Sequence, residues 1–279
     1  MNSLLSTTVA AIALSLPAFT TARAATAYGL TSSGLLQFDT SNPGSITNTA
    51  VFTGLSSGDS ITDIDFRPQN GTLYGLAQTG RLYRINTLTG AVIVDTSGAM
   101  GTVQRMDFNP VANRLRVFSA ADQNYRITPG TGLVSTDGVF SFAAGDVNAG
   151  ANPALGSAAY TNNFVGAPST TLFSIDTDLD VLISHSAGPQ FSTLNTIGSL
   201  GVNVGNSVGF DIVDGDNKAF VSNGQDLYSI NLATGALTGI GTIGGSGVLG
   251  LAVVPEPATA GLGLMAAFGF LLRRHRKGA

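Results

Sequence analysis

The residues able to do chemistry are few and of one kind. The chain contains no cysteine and only two histidines, His185 and His275. Its acidic groups between Ala25 and Val254 are all aspartates, and the one glutamate is Glu256. Nucleophilic catalysis requires a base held against the nucleophile, and His185 is the only imidazole available in the body of the chain. It lies in Leu182-Ile-Ser-His-Ser186, where a polar strand position accounts for it, and no G-x-S-x-G is present. No catalytic residue is therefore expected. Hard cations offer the better chemistry, because calcium takes oxygen ligands from Asp, Asn and backbone carbonyls. Asp211, Asp214 and Asp216 form one local cluster, and Asp176, Asp178 and Asp180 form another. Neither has EF-hand spacing, and turn chemistry also explains both. No cofactor is expected beyond a structural calcium on the first set.

Charge narrows the partners. Between Ala25 and Val254 there are eight basic residues and sixteen aspartates, a net charge of −8. Without a basic patch, nucleic acid is not an expected partner. Glycine is abundant, at 36 residues, which suits short strands joined by tight turns.

The elements that must position these residues repeat along the chain. Ile61-Thr-Asp-Ile-Asp65-Phe-Arg-Pro68 leads to Leu73-Tyr-Gly-Leu76, then Arg81-Leu-Tyr-Arg-Ile85. Val103-Gln-Arg-Met-Asp107-Phe-Asn-Pro110 opens a second unit, continued by Arg114-Leu-Arg-Val-Phe118 and Asn124-Tyr-Arg-Ile127. Each unit has four alternating stretches, the pattern of four short antiparallel strands. The third stretch serves as a ruler. Its anchors are Phe38, Ile85, Ile127, Ile175 and Ile230, spaced 47, 42, 48 and 55 residues apart. This period predicts an all-β fold, a β-propeller of five blades with about four antiparallel strands each. An open β-sandwich is the alternative. The first unit begins at Tyr28 and lacks an opening strand, whereas Gly247–Val254 has that pattern. The C-terminal strand is expected to close the ring, since an open ring leaves unpaired edges.

Residues 138–157 interrupt the repeat and carry Asp146, Asn148 and Asn152. Long insertions are frequent binding sites, so these three are the expected contacts for a glycan or protein partner.

The two ends read as addresses. Leu4–Leu16 is mostly apolar, Pro17 breaks the run, and Ala22-Arg-Ala24 is a small-x-small cleavage pattern, so residues 1–24 read as a signal peptide. At the other end, Pro255-Glu256-Pro257 precedes an uncharged run to Leu272, then Arg273-Arg274-His275-Arg276-Lys277. That run is too short to be more than a marginal span, and the basic cluster would stay cytoplasmic. These three parts of residues 255–279 resemble the PEP-CTERM sorting signal of Gram-negative bacteria. The resemblance implies cleavage by an exosortase-type membrane protease after transient inner-membrane anchoring, and delivery to the cell surface or an exopolysaccharide matrix. Residues 25–254 in turn resemble a bacterial propeller-like family of unknown function that often precedes such tails. Its carriers are Ile-x-Asp-Phe-x-Pro, Leu73-Tyr-Gly-Leu76, Asp146–Pro153, Ala159-Tyr-Thr-Asn162 and Gly209-Phe-Asp-Ile212. The expectation is a non-enzymatic exported protein that binds a glycan or another protein. The alternative is an extracellular propeller hydrolase or lactonase with a metal in its central channel, which convergence of Asp65, Asp107 and Asp211 on a metal would favour.

Overall fold

The computed structural model describes residues 24–255 except 98, 99, 120, 189 and 214. Most of the expected signal peptide, including Ala22, lies outside the described residues, as do Asp214 and the tail from Glu256 through Arg273 and Arg274. Ala24 is exposed, and Pro255 follows the last strand.

The chain is all-β and forms a five-bladed propeller. The first blade holds β1 (Thr26–Leu30), β2 (Gly34–Asp39) and β3 (Asn42–Val51). The second holds β4 (Ile61–Arg67), β5 (Thr72–Ala77), β6 (Arg81–Ile85) and β7 (Val92–Ser97). The third holds β8 (Arg105–Asn109), β9 (Arg114–Phe118), β10 (Asn124–Thr128) and β11 (Leu133–Thr136). In the fourth, a short β12 (Ser141–Phe142) precedes β13 (Leu155–Tyr160), β14 (Leu172–Asp176), β15 (Val181–His185) and β16 (Thr193–Ser199). The fifth has β17 (Val208–Val213), β18 (Lys218–Asn223), β19 (Asp226–Ile230) and β20 (Leu237–Thr242). The last strand, β21 (Gly250–Val253), returns to the first blade as its innermost member, antiparallel to β1, with Ala27 opposite Val253 and Leu30 opposite Gly250. The ring thus closes as the vacant place in the first unit requires. Among the described residues no helix is long and apolar enough to cross a membrane.

Inner strands β21, β4, β8, β13 and β17 adjoin one another around the axis. The period of two in a strand sends Asp65 toward the third blade and Phe66 back toward the first. There Phe66 meets Tyr28 with ring centroids 5.7 Å apart, and one blade on, Phe108 meets Tyr74 at 5.1 Å. The Asp-Phe pairs of β4 and β8 are thus a polar tie forward and an aromatic wedge backward. The core is accordingly divided into five apolar clusters, one in each gap between neighbouring blades. Gly209 is obligatory in this ring, since a Cβ there would lie 2.5 Å from the backbone nitrogen of Leu251 on the adjoining strand.

The ruler slips in the fourth blade. Ile175 is buried, but it lies on the second strand, β14, opposite Leu182 of the third. Register identifies the true equivalent. Leu73 pairs with Ile85 and Leu115 with Ile127; in the fourth blade Phe173 pairs with Ser184, which puts Leu172 opposite His185. His185 therefore occupies the anchor place filled elsewhere by Phe38, Ile85, Ile127 and Ile230, and is only 4% exposed. The exchange is paired. Gly75 lies against Ile85, where a Cβ would come within 2.8 Å of the isoleucine Cδ1, and its equivalent Ser174 places its hydroxyl 2.7 Å from Nε2 of His185. The slip arises because Leu172–Ile175 has the same apolar spacing as a third strand, and the inserted residues hide the offset.

Candidate functional site at the propeller axis

Equivalent positions on the five inner strands hold Asp65, Asp107, Ala159, Asp211 and Ala252, paired in turn with Tyr74, Arg116, Phe173, Phe220 and Tyr28. Each aspartate accepts a hydrogen bond from the backbone N–H of the next inner strand. Phe108 donates to Asp65 Oδ2 at 2.7 Å, Tyr160 to Asp107 Oδ1 at 2.9 Å, and Val253 to Asp211 Oδ2 at 2.6 Å. Three of the five junctions are thus tied by a carboxylate. The same three residues bring one oxygen each to within 4.8 Å of the others, and all three are buried. Oδ1 of Asp65 is buried with no hydrogen-bond partner among the described residues.

Three carboxylates cannot all be ionised so close together away from water without a compensating cation. Burial holds Asp65 well above the usual carboxylate range, and the neighbouring Asp211 charge adds to the effect. Burial, followed by the charges of Asp65 and Asp211, does the same to Asp107. Two residues earlier on β4, Asp63 accepts from the backbone of Met106 at 2.8 Å and of Ile64 at 3.0 Å. Burial pushes it up to about 6, against the nearby charge of Arg105.

Arg105 spans the axis on the side where the inner strands begin. Its guanidinium donates to the carbonyls of Thr62 at 3.1 Å, Asn206 at 2.7 Å and Leu249 at 3.4 Å, joining three other blades. It forms part of the floor of a cavity of about 680 Å³ whose wall includes Ser60, Thr62, Gln104, Asn152 and Asp178. Below this floor come Asp63 and then the three aspartates. At about 3.3 Å per strand residue, Asp65 lies some 10 Å along β4 from Thr62.

The sequence-derived residues separate. Asn152 lines the axial mouth. Asp146 and Asn148 instead hold the insertion to the outer edge of the fourth blade. Asp146 Oδ2 accepts from the backbone of Thr196 at 2.6 Å, its Oδ1 accepts from the Thr196 hydroxyl at 2.7 Å, and Asn148 Nδ2 donates to that hydroxyl at 2.9 Å. Of the local calcium set, Asp211 stands at the axis, Asp216 is exposed past the end of β17, and Asp214 lies outside the described residues. Asp211 is gathered with Asp65 and Asp107 rather than with its sequence neighbours. Asp176 is turn chemistry: its Oδ1 accepts from the backbone of Asp178 and Leu179, both at 3.0 Å. Asp63 and Arg105 carry no motif of their own and were not legible as site residues. The signal that exposes them is position, two places before the aspartate of each repeat.

The Ser174–His185 pair is closed to substrate. Nδ1 of His185 donates to the carbonyl of Phe191 at 2.6 Å, because a carbonyl can only accept, so Nε2 accepts the Ser174 hydroxyl. Burial pushes the imidazole down to about 3, which keeps it neutral, and Phe118 and Phe140 pack on the ring.

A family model described as a domain of unknown function, DUF4394, matches residues 34–252, from β2 to β21. The chain belongs to this family. The match reaches into every blade, leaving out β1, and includes the axial aspartates. No curated protein matches the chain. A chain of a nidogen/laminin complex is similar in fold, with a TM-score of 0.52 at 9% identity over 82% of this chain and 98% of that one. A structural genomics protein of unknown function from Bacteroides thetaiotaomicron is similar with a TM-score of 0.47 at 11% identity, over 80% and 60% of the two chains. The dihydro-heme d1 dehydrogenase NirN gives 0.39 at 13% identity, over 84% and 47%. At these identities the likeness concerns fold alone.

Proposed function

We propose that this DUF4394 propeller is an exported, non-enzymatic surface or matrix protein of a Gram-negative bacterium that binds a neutral glycan at its axial mouth. The observation carrying this reading is the mouth itself. A cavity of about 680 Å³ on the axis is walled by hydroxyl, amide and backbone groups such as Ser60, Thr62, Gln104 and Asn152, the donors and acceptors that match sugar hydroxyls. The signal peptide, the Pro255-Glu256-Pro257 motif and the terminal arginines support the location and the passage through an exosortase-type protease. Titration of purified protein with a panel of neutral oligosaccharides tests the binding. At least one should bind, and Asn152→Ala together with Gln104→Ala should weaken it tenfold or more without lowering the melting temperature. Absence of binding to every neutral glycan, or binding indifferent to both substitutions, overturns the reading.

A second reading has one observation in its favour. The oxygens of Asp65, Asp107 and Asp211 are spaced as ligands of a single hard cation, which would lie about 2.3–2.6 Å from each. A metal-dependent hydrolase or lactonase could use such an ion. The aspartates are only 2–4% exposed, however, and lie beneath Arg105. A substrate in the mouth would not reach a metal held there, so such a cation better suits a structural tie between blades. Calcium-dependent turnover of lactones or aryl esters that disappears in Asp107→Asn would reverse this ranking.

A further inference from the structure

At the other end of the inner strands, a groove of about 340 Å³ opens between the third and fourth blades. Its wall brings together Arg114, Arg116 and Arg126 from β9 and β10, Tyr160 from the end of β13, and Phe191 from the loop before β16. In a body with eight basic residues and a net charge of −8, this is a marked local excess of positive charge. One carboxylate answers two of the three guanidinium groups: Asp137 pairs with Arg116 at 3.0 Å, and with Arg126 at 2.7 Å from Nε and 2.8 Å from Nη2. Arg114 is half-buried and has no ion pair among the described residues.

The aromatic wall is held at a conformational cost. Phe191 has φ +51°, in the left-handed region that a bulky side chain rarely adopts. Such outliers persist only where surrounding contacts enforce them and cluster at ligand sites. Here the enforcing contacts are visible. His185 donates to the Phe191 carbonyl at 2.6 Å, the Arg116 guanidinium stacks 5.2 Å from the ring centroid, and Tyr160 meets the ring edge-on at 5.5 Å. This gives the histidine in an otherwise aliphatic anchor place a physical purpose. The isoleucine found at this place in other blades could not fix the loop carbonyl.

We propose that this groove binds a carboxylate-bearing sugar, a uronate, with Arg114 receiving the carboxylate, Phe191 forming an apolar wall for the sugar ring, and His185 as the positioning residue for that wall. Guanidinium pairs carboxylates in a planar, bidentate manner, and rigid aromatic surfaces suit the apolar faces of sugar rings. The site is independent of the axial mouth, because it lies at the opposite end of the inner strands.

The test is calorimetric titration of the full chain with a uronate trisaccharide, its uncharged hexose counterpart, and inorganic sulfate. The uronate should bind at least about tenfold more tightly than the hexose, and its affinity should fall as salt rises. Arg114→Gln should lower uronate affinity at least about tenfold, and Arg114→Lys should restore part of it. His185→Ile combined with Ser174→Gly, which installs the anchor pair of the second blade, should also weaken uronate binding while the protein stays folded. Should that variant fail to fold, the half-buried Arg114 variants decide the matter. Equal affinity for uronate and hexose, sulfate binding as tight as uronate, or uronate affinity indifferent to Arg114→Gln would each overturn the proposal. Asn152→Ala, which acts at the axial mouth, should leave uronate binding unchanged, so failure of one site is distinguishable from failure of the other.

Discussion

Stripped of divalent cations, the protein should melt at a higher temperature at pH 5 than at pH 7.5, and calcium should remove much of the difference. Asp63 titrates near 3.8 in the unfolded chain and at about 6 when folded. A raised folded value means that the native state favours the protonated form. Its contribution is complete below pH 3.8 and is lost as pH rises through 6, amounting to about 3 kcal/mol for this group alone. Asp65 and Asp107 are also raised, so their losses extend the window upward. Carboxylates with the opposite shift, Asp59 and Asp146, are ionised at both pH values. His185, pushed down to about 3, works the other way: the unfolded chain protonates it below pH 6.5, which costs about 2 kcal/mol at pH 5. The three raised aspartates together must exceed this, and it cancels when the parent is compared with Asp107→Asn. Between pH 5 and 7.5 about 1.4 kcal/mol of the Asp63 contribution is lost, which for a domain of this size corresponds to roughly 3–6 °C. Asp107→Asn removes one of the charges while its amide oxygen can still accept from Tyr160. Without cations, this variant should melt higher than the parent at pH 7.5 and show a flatter pH dependence. Calcium at a hundredfold excess over its dissociation constant should stabilise the parent by about 2.7 kcal/mol and leave the variant unmoved. Identical pH dependence in the parent and in Asp107→Asn, with neither moved by calcium, would mean that the three carboxylates neither share protons nor hold a cation. Differential scanning fluorimetry across the two pH values, with chelator and with calcium, measures all four conditions.

Truncation after Gly245 should destroy the fold, whereas truncation after Pro255 should leave the melting temperature within about 2 °C of the full chain. The first deletion removes β21 and the residues leading into it. Val248, Leu251 and Val253 are at most 2% exposed, and each is worth about 1.5–3 kcal/mol of burial. Lost together they approach the 5–15 kcal/mol that holds a typical domain. The bonds from Leu249 N–H to the Leu30 carbonyl at 2.7 Å and from Val254 N–H to the Thr26 carbonyl at 2.8 Å vanish as well. So does the tie from Val253 to Asp211. Both β1 and β17 are left without their neighbour, and β1 becomes an exposed edge able to pair with another chain. Size-exclusion chromatography and thermal melting of the two truncations check the result. A monomeric, cooperatively melting product ending at Gly245 would show that β21 closes nothing.

The repeat and its closure were legible because each blade solves the same local problem. Alternation and turn glycines recur from blade to blade, and the Asp-Phe pair marks two of the inner strands. The missing opening strand near Tyr28 and the surplus one at 247–254 could be matched from pattern alone. Alignment of the two clearest units marked Asp65 and Asp107 as equivalent, and Asp211 was set beside them only for a metal in the central channel. Their convergence was decided by tertiary structure, because it depends on how many blades surround the axis and how closely their inner strands approach. The fourth blade shows the limit. Leu172–Ile175 satisfies the spacing of a third strand, and only hydrogen-bond register assigns the anchor place to His185. Asp146 and Asn148 read as ligand contacts because an insertion exposes its polar groups, until Thr196, some fifty residues later, is found to satisfy them. The arginine groove had no linear signature at all. Arg114 and Phe191 lie far apart in sequence, on different blades, and meet because neighbouring sheets pack face to face. Sequence determines which side of a strand each residue faces; the closing of the ring determines what it finds there.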